Sequence, residues 1–212
     1  MAVLLYKKSI LERELKMEIN LKIDGLSEIE TMLNADVINQ AVSRALNRAA
    51  NSAITYGSKK IRSIYNIKAR DIKRSTKISR ATKNNTEAII YISGGPIPFK
   101  YFGAKQTKKG VTLRIKKTEP RKLIKSAFIG GYLPIKQKGG KYIPVKLKSW
   151  GGGHVYQRKT KRWLPISKLV TQNVTFPQLF QSPEIWPDIK QKIEEVFQKE
   201  FWHNYEYYLT KK

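Results

Sequence analysis

The chain has 212 residues, with 42 Lys and Arg against 16 Asp and Glu, for a net charge of +26 at neutral pH. It contains no cysteine, which excludes disulfide staples, zinc–thiolate sites and cysteine nucleophiles. An apolar fraction of 41%, with four Trp, 11 Tyr and seven Phe, excludes a wholly disordered basic tail. The charge is concentrated in the middle of the chain. Residues 35–180 carry 32 bases and four acids (Asp36, Asp71, Glu87 and Glu119), a difference of +28, whereas residues 1–34 and 181–212 each hold five bases and six acids. A folded surface so one-sided repels itself and attracts polyanions or a strongly acidic partner. The partition suggests an N-terminal extension over 1–34, a basic domain over 35–180 and a C-terminal amphipathic helix over 181–212.

In chain order, residues 1–16 lack the apolar stretch and cleavage site of a signal peptide, and Met17 offers a second start. No apolar run approaches the roughly 18 residues of a membrane span, so a soluble protein made in the cytoplasm, with no membrane partner, is expected. Residues 17–24 (MEINLKID) alternate apolar and polar as a half-buried strand does. Ser27–Asn34 reads as a short helix with the Ser27/Glu30 spacing of a capping box. Ala35–Tyr65 carries the strongest helical signal. Ile38, Val42, Ala45, Ala49, Ala53, Tyr56, Ile61 and Ile64 recur every three to four residues, with Leu46 beside them, which predicts that Ile38, Val42, Leu46, Ala49, Ala53 and Ile61 are buried. Arg44, Arg48, Lys59 and Arg62 fall on the other face. Gly57 weakens this helix by about 1 kcal/mol relative to Ala, so a bend is expected there.

A shorter helix is predicted over Lys68–Arg74, followed by strands at Ala88–Ile92, Val111–Lys116, Lys125–Ile129 and Gly153–Arg158. Lys136–Gly153, Lys- and Gly-rich with Gly139-Gly140 as a candidate tip, has the composition of a mobile loop or a β-hairpin arm. Such a segment is expected to be the first tryptic site of the free subunit. A last helix over Ile185–Tyr208 opens with Pro187 in its first turn. It carries Ile189, Ile193, Phe197, Phe201 and Tyr205 at i, i+4 spacing. The order of elements predicts an α+β fold: a long N-terminal helix packed on a mainly antiparallel sheet, with a C-terminal helix.

The search for chemistry yields little. Metal-dependent nucleases need clustered carboxylates, and no two acids of the central region lie within ten residues of each other. His154 and His203 are too few for an ordinary zinc site. His154 reads as a general base in a His-x-x-x-Arg arrangement with Arg158, or more simply as a strand-edge histidine. His203 reads as a packing residue or a cation at a helix C-terminus. Gly151-Gly152-Gly153 lacks the Lys-Ser/Thr of a phosphate-binding loop. An enzyme is not expected, and no cofactor or metal is implied. Basic and aromatic residues interleave at Lys100-Tyr101-Phe102, Tyr156-Gln157-Arg158-Lys159 and Lys161-Arg162-Trp163, either as a stacking platform or as the ordinary in–out alternation of strands. The candidate contacts to DNA or an acidic partner are Lys105, Lys108 and Lys109, in a Gln-Thr-Lys-Lys-Gly turn, and Arg158, Lys159, Lys161 and Arg162. Phe201, Trp202, Tyr205 and Tyr208 are the candidate subunit interface.

Several segments, in order, resemble the phage minor tail protein Z family, the tail-completion proteins of long-tailed bacteriophages and prophages. They are AVSRALNRAANSA (41–53), IRSIYNIKARDIKR (61–74), IPFKYFGAKQTKKGVTLRIKK (97–117), KSAFI (125–129), HVYQR (154–158) and LPISKLVTQNVTFPQLF (164–180). The resemblance spans about residues 38–180 and leaves out the two charge-balanced ends and the Lys136–Gly153 insertion. It departs from the family's Gly-Pro/Ser at Thr171-Gln172-Asn173. It implies a non-enzymatic structural virion protein at the head-proximal end of the tail, assembled in the host cytoplasm and supporting head–tail joining and DNA passage. Its implied partners are a tail terminator, the tail tube, the head–tail connector and further copies of itself, most simply a hexameric ring matching tail symmetry. Two other readings remain from composition: a non-catalytic basic RNA- or DNA-binding protein, and a DNA-processing enzyme such as a recombinase.

Overall fold

The structure is a computed structural model that describes residues 16–23, 35–130, 132–136, 142–146, 153–158, 166–168 and 174–210. The helix expected over Ser27–Asn34 lies outside them. The chain divides into two compact units. One comprises residues up to Ile61 with Ala69–Gly95 and everything from Thr175; the other comprises Arg62–Lys68 with Pro96–Val174.

The first unit is built on helix α1 (Ala35–Ile64). Its buried face holds Ile38, Val42, Ala45, Leu46, Ala49, Ala53 and Ile61, each no more than 2% exposed, as the 3.6-residue period demands. Ala45, Ala49 and Ala53 repeat every four residues along this face, and small side chains let another layer approach the helix axis closely. The same unit holds an antiparallel sheet ordered β1–β3–β2, with β1 at Lys16–Leu21, β2 at Thr76–Ser79 and β3 at Ala88–Ser93. Alternation puts Met17, Ile19, Leu21, Ala88, Ile90 and Ile92 inward and buried, while Glu18, Tyr91 and Lys77 align across the opposite face. Helix α2 (Ala69–Arg74) buries Ile72 and Asp71 and exposes Arg70, Lys73 and Arg74.

Asn47 ties α1 to the segment after β2. Its amide nitrogen donates to the Ala81 carbonyl and its oxygen accepts from the Ala81 N–H, both at 2.9 Å. This side chain thus copies a strand-pairing contact where no strand is present. Replacing Asn47 by Ala leaves both backbone groups unpartnered in a half-buried position, and chemical denaturation should show a loss of about 1–3 kcal/mol.

Helix α3 (Phe176–Phe180) starts with a complete capping box. The Thr175 hydroxyl accepts from the Gln178 N–H at 3.3 Å, and the Gln178 side chain accepts from the Thr175 N–H at 3.1 Å. Helix α4 (Trp186–Thr210) then packs along α1. Lys60 on α1 meets Asp188 on α4 at 2.6 Å, and this hydrogen bond, with a second that Lys60 donates to the Tyr56 hydroxyl, raises the Lys60 ammonium above its ordinary range. Farther along, the Arg44 guanidinium sits 5.0 Å from the Tyr208 ring centre. Between these ends Gly57 is buried. A Cβ there would lie 2.6 Å from the Phe180 ring and 2.9 Å from the Ile189 methyl. Gly57 is therefore a point of close approach between α1 and the residues Phe180 of α3 and Ile189 of α4.

The stripe on α4 follows the expected spacing only in its first half. Ile189, Ile193 and Phe197 are buried, but Phe201 and Tyr205 are half-buried and Asn204 replaces them on the inner face. Steps of four residues advance about 400° on a helix of about 100° per residue, so an i, i+4 stripe drifts about 40° per step off the packed face.

The second unit contains two three-stranded antiparallel sheets and a two-stranded ribbon. One sheet is ordered β4–β5–β6 (Lys105–Thr107, Gly110–Leu113, Lys122–Lys125) and the other β11–β10–β7 (Ile166–Lys168, Val155–Arg158, Ala127–Ile129). Strands β8 (Tyr132–Lys136) and β9 (Tyr142–Lys146) form the ribbon, paired from Tyr132↔Lys146 to Lys136↔Tyr142. The predicted segment Lys136–Gly153 thus contributes β9, which pairs with a strand beginning at Tyr132, before that segment; residues 137–141, with the Gly139-Gly140 tip, and 147–152 lie outside the described residues. The strand expected as one piece over Lys125–Ile129 is interrupted. Ser126 has φ 58°, a left-handed conformation that ends β6 and begins β7. The strand predicted over Val111–Lys116 stops at Leu113. Val111, Ala127, Ile129 and Val155 form the buried centre of this unit, with Phe99, Ala104 and Ile124 against it.

Candidate functional site

Lys108 and Lys109 form the two-residue tip of the β4–β5 hairpin, closed by the Thr107↔Gly110 pair. Gly110 is required there: with φ 149°, a Cβ would fall 2.1 Å from the Ile124 carbonyl oxygen of the adjacent strand. Gln106 braces the hairpin from below. Its amide donates to the Thr107 and Gly110 carbonyls at 3.1 and 3.2 Å, and its oxygen accepts from the Ile129 N–H at 2.8 Å. Arg121 turns inward onto the Gly103 and Thr112 carbonyls and so serves the backbone, not a ligand. The result is a fixed tip carrying exposed Lys105, Lys108 and Lys109.

Register adds one cation that the sequence pattern left unmarked. Lys125 on β6 pairs with Gly110, which pairs with Thr107, so Lys125 shares a row with the strand end beside the tip. It is exposed. Only the pairing of three strands brings it there, and no local spacing reveals it.

The second predicted basic cluster is placed in part. Arg158 is the last residue of β10 and pairs with Ile166; Lys159, Lys161 and Arg162 lie outside the described residues. The structure thus does not bring the two clusters together in any described contact. His154, just before β10, is contacted by Lys100 Nζ at 2.8 Å from its Nε2. An ammonium has only hydrogens to give, so Nε2 is the acceptor. The lone pair a general base would use is occupied, which favours the strand-edge reading. Tyr156 stacks on Phe128 at 5.9 Å and meets the His154 ring edge-on.

On α4, Trp202 is 59% exposed. Phe201 stacks between Phe197 and Tyr205 and takes Trp202 against its edge. Tyr208 is half-buried beneath Arg44. His203 is exposed, so it does not pack as a core residue. A groove of about 430 Å³ between α1 and α4 is lined by Arg48, Asn51, Ser52, Thr55, Tyr56 and Lys59 with Lys192, Val196 and Glu200. Its walls carry three cations, Arg48, Lys59 and Lys192, and one carboxylate, Glu200. Among the described residues no group of three His, Cys, Asp or Glu could hold a metal ion, and no helix is long and apolar enough to cross a membrane.

The family described as prophage minor tail protein Z (GPZ) matches residues 23–212. The chain belongs to this family. The match takes in all of α4, which the sequence motifs had left outside the resemblance, and includes 23–34 of the N-terminal extension. No curated protein and no solved structure matches. Membership in a prophage minor tail protein family, a family structural and non-enzymatic in kind, makes this a structural phage tail protein, carried in the virion among other tail proteins.

Proposed function

We propose that this subunit completes the head-proximal end of the tail and supports head–tail joining and DNA passage. In this reading it forms a closed ring, most simply of six copies, in contact with the tail terminator, the tail tube and the head–tail connector. The observation that carries it is the charge partition: +28 over residues 35–180 between two ends of net −1 each. A ring around a DNA passage needs cations that hold phosphate without reading sequence, and surfaces near neutrality to meet its neighbours. The Lys108–Lys109 tip meets the first need, with Lys105 and Arg158 from the same central region and Lys159, Lys161 and Arg162 in the adjoining sequence. The exposed Trp202 with Phe201 and Tyr205 meets the second, since aromatic side chains anchor protein interfaces, and Tyr208 extends that aromatic end beneath Arg44. A head-to-tail contact repeated by rotation closes such a ring.

Immunogold labelling of intact particles tests the position: label confined to the head–tail junction supports the reading, and label along the tail or at its distal tip overturns it. The Lys108→Ala/Lys109→Ala variant tests the tip. If both lysines meet phosphates, duplex affinity should fall equally for all sequences, and the log–log salt slope should become shallower by about 0.9 for each phosphate that is no longer neutralised. An unchanged slope together with failed particle assembly would assign the tip to an acidic protein instead.

A further inference from the structure

A second cationic surface lies in the first unit, on residues that the hairpin tip does not include. Between Arg70 and Lys83 the chain places six bases, and its one acid in that stretch, Asp71, is 6% exposed. Lys83 is paired with Asp36 at 3.4 Å, and Arg70 Nε stands 3.7 Å from Asp71. Lys73, Arg74, Lys77 and Arg80 are all exposed and form no ion pair with a described carboxylate. Across the sheet, Glu18 lies beyond Tyr91 in the Lys77↔Tyr91↔Glu18 row, and half-buried Glu87 lies just before β3, whose Ile89 pairs with Ser79 next to Arg80; neither forms an ion pair with these four bases.

These cations stand on a braced backbone. The Ser75 N–H and hydroxyl both donate to the Ile72 carbonyl, at 3.0 and 2.7 Å, and the Ser93 N–H donates to the Ser75 carbonyl, locking the end of α2 to the sheet. The Asn47 amide holds Ala81, next to Arg80. Reciprocal Thr82–Asn85 bonds close the turn after it. Little backbone ordering is left for binding to require, which is the condition under which surface charges give affinity.

One lysine on an edge strand such as β2 is ordinary protection against edge-to-edge pairing. Four bases from α2, β2 and the residue that follows β2, none of them paired with a described carboxylate, exceed that need. A protein partner would be expected to find an apolar anchor, because interface centres are rich in aromatics and poor in Lys. Among the described residues, the exposed large hydrophobic residue paired with this stretch is Tyr91, 37% exposed, opposite Lys77. A phosphate backbone needs no such anchor, and a tyrosine at the border suits it.

We propose that Lys73, Arg74, Lys77 and Arg80 form a sequence-independent binding face for the phosphate backbone of duplex DNA. The proposal deepens the DNA-passage reading above and rests on it for the identity of the nucleic acid. Its test uses the purified full chain and a short fluorescein-labelled duplex of mixed sequence, with anisotropy followed across a salt series. In the Lys73→Ala/Lys77→Ala/Arg80→Ala variant the log–log salt slope should become shallower by about 2–3, close to 0.9 per phosphate. The loss should be equal on duplexes of different sequence. Lys73→Arg/Lys77→Arg should keep the wild-type slope. The single variants Lys73→Ala and Arg80→Ala, each expected to lower the slope by about 0.9, keep the test valid if the triple variant fails to fold. An unchanged slope in the neutral variants, or a loss confined to binding of poly-glutamate, overturns the proposal. A slope that responds only to Lys108→Ala/Lys109→Ala overturns this face and leaves the hairpin tip standing. A slope that responds to the face in a protein labelled away from the head–tail junction keeps the face and removes the head–tail reading.

Discussion

Leu46→Ala should lower the unfolding free energy of the protein by about 2–5 kcal/mol, the range for truncating a fully buried Leu or Ile. Leu46 is fully buried, as are Val42, Ala45, Ala49 and Ala50 around it. Alanines cannot reach into the space a lost isobutyl group leaves, so the cavity collapses poorly and the cost lies above the bare transfer term of the missing methyl and methylene groups. Denaturant unfolding with an unchanged m-value checks this. A loss under about 1 kcal/mol would mean that the neighbouring layer fills the gap.

Gly57→Leu should also destabilise, by about 1–3 kcal/mol, although leucine is the better helix former by nearly 1 kcal/mol. The opposed signs make the result diagnostic. At an exposed helical site the change would stabilise. Here even the first added carbon meets the Phe180 ring at 2.6 Å, and Phe180 is only 1% exposed and has little room to yield. A Gly57→Leu protein that melts higher than wild type would show that α3 and α4 do not approach α1 at this residue.

The two substitutions mark where the sequence was legible. Leu46 and its neighbours could be placed because a helix repeats every 3.6 residues and one buried face writes that period into the chain. The α+β fold class, with its long first helix and its C-terminal helix, followed from such local signals. Gly57 could not be placed the same way: its role is set by Phe180 and Ile189, which are remote in the chain. The drift of the α4 stripe was calculable from helix geometry, yet which half stays packed depends on where α1 meets Asp188 and Tyr208. Short strands such as β4 (Lys105–Thr107) and β11 (Ile166–Lys168) carry too few residues for a period of two to stand out.

The candidate site divides similarly. The Lys108–Lys109 turn was visible because glycine after two polar residues marks a hairpin. Lys125 was not, because its row is made by pairing of β4, β5 and β6. The α2–β2 face was present in the sequence as a basic run, but its significance appears only once Asp71 is seen to be buried and Lys83 to be occupied by Asp36.

Joining of heads to tails in a lysate tests the central claim most directly. Host cells induced for a phage with a nonsense codon in this gene should yield DNA-filled heads and tails of normal length that remain separate under negative stain. Purified full-length protein added to that lysate should restore joined, infectious particles. Normal joining without the protein, or tails that never polymerise, would contradict a role in completing the head-proximal end of the tail.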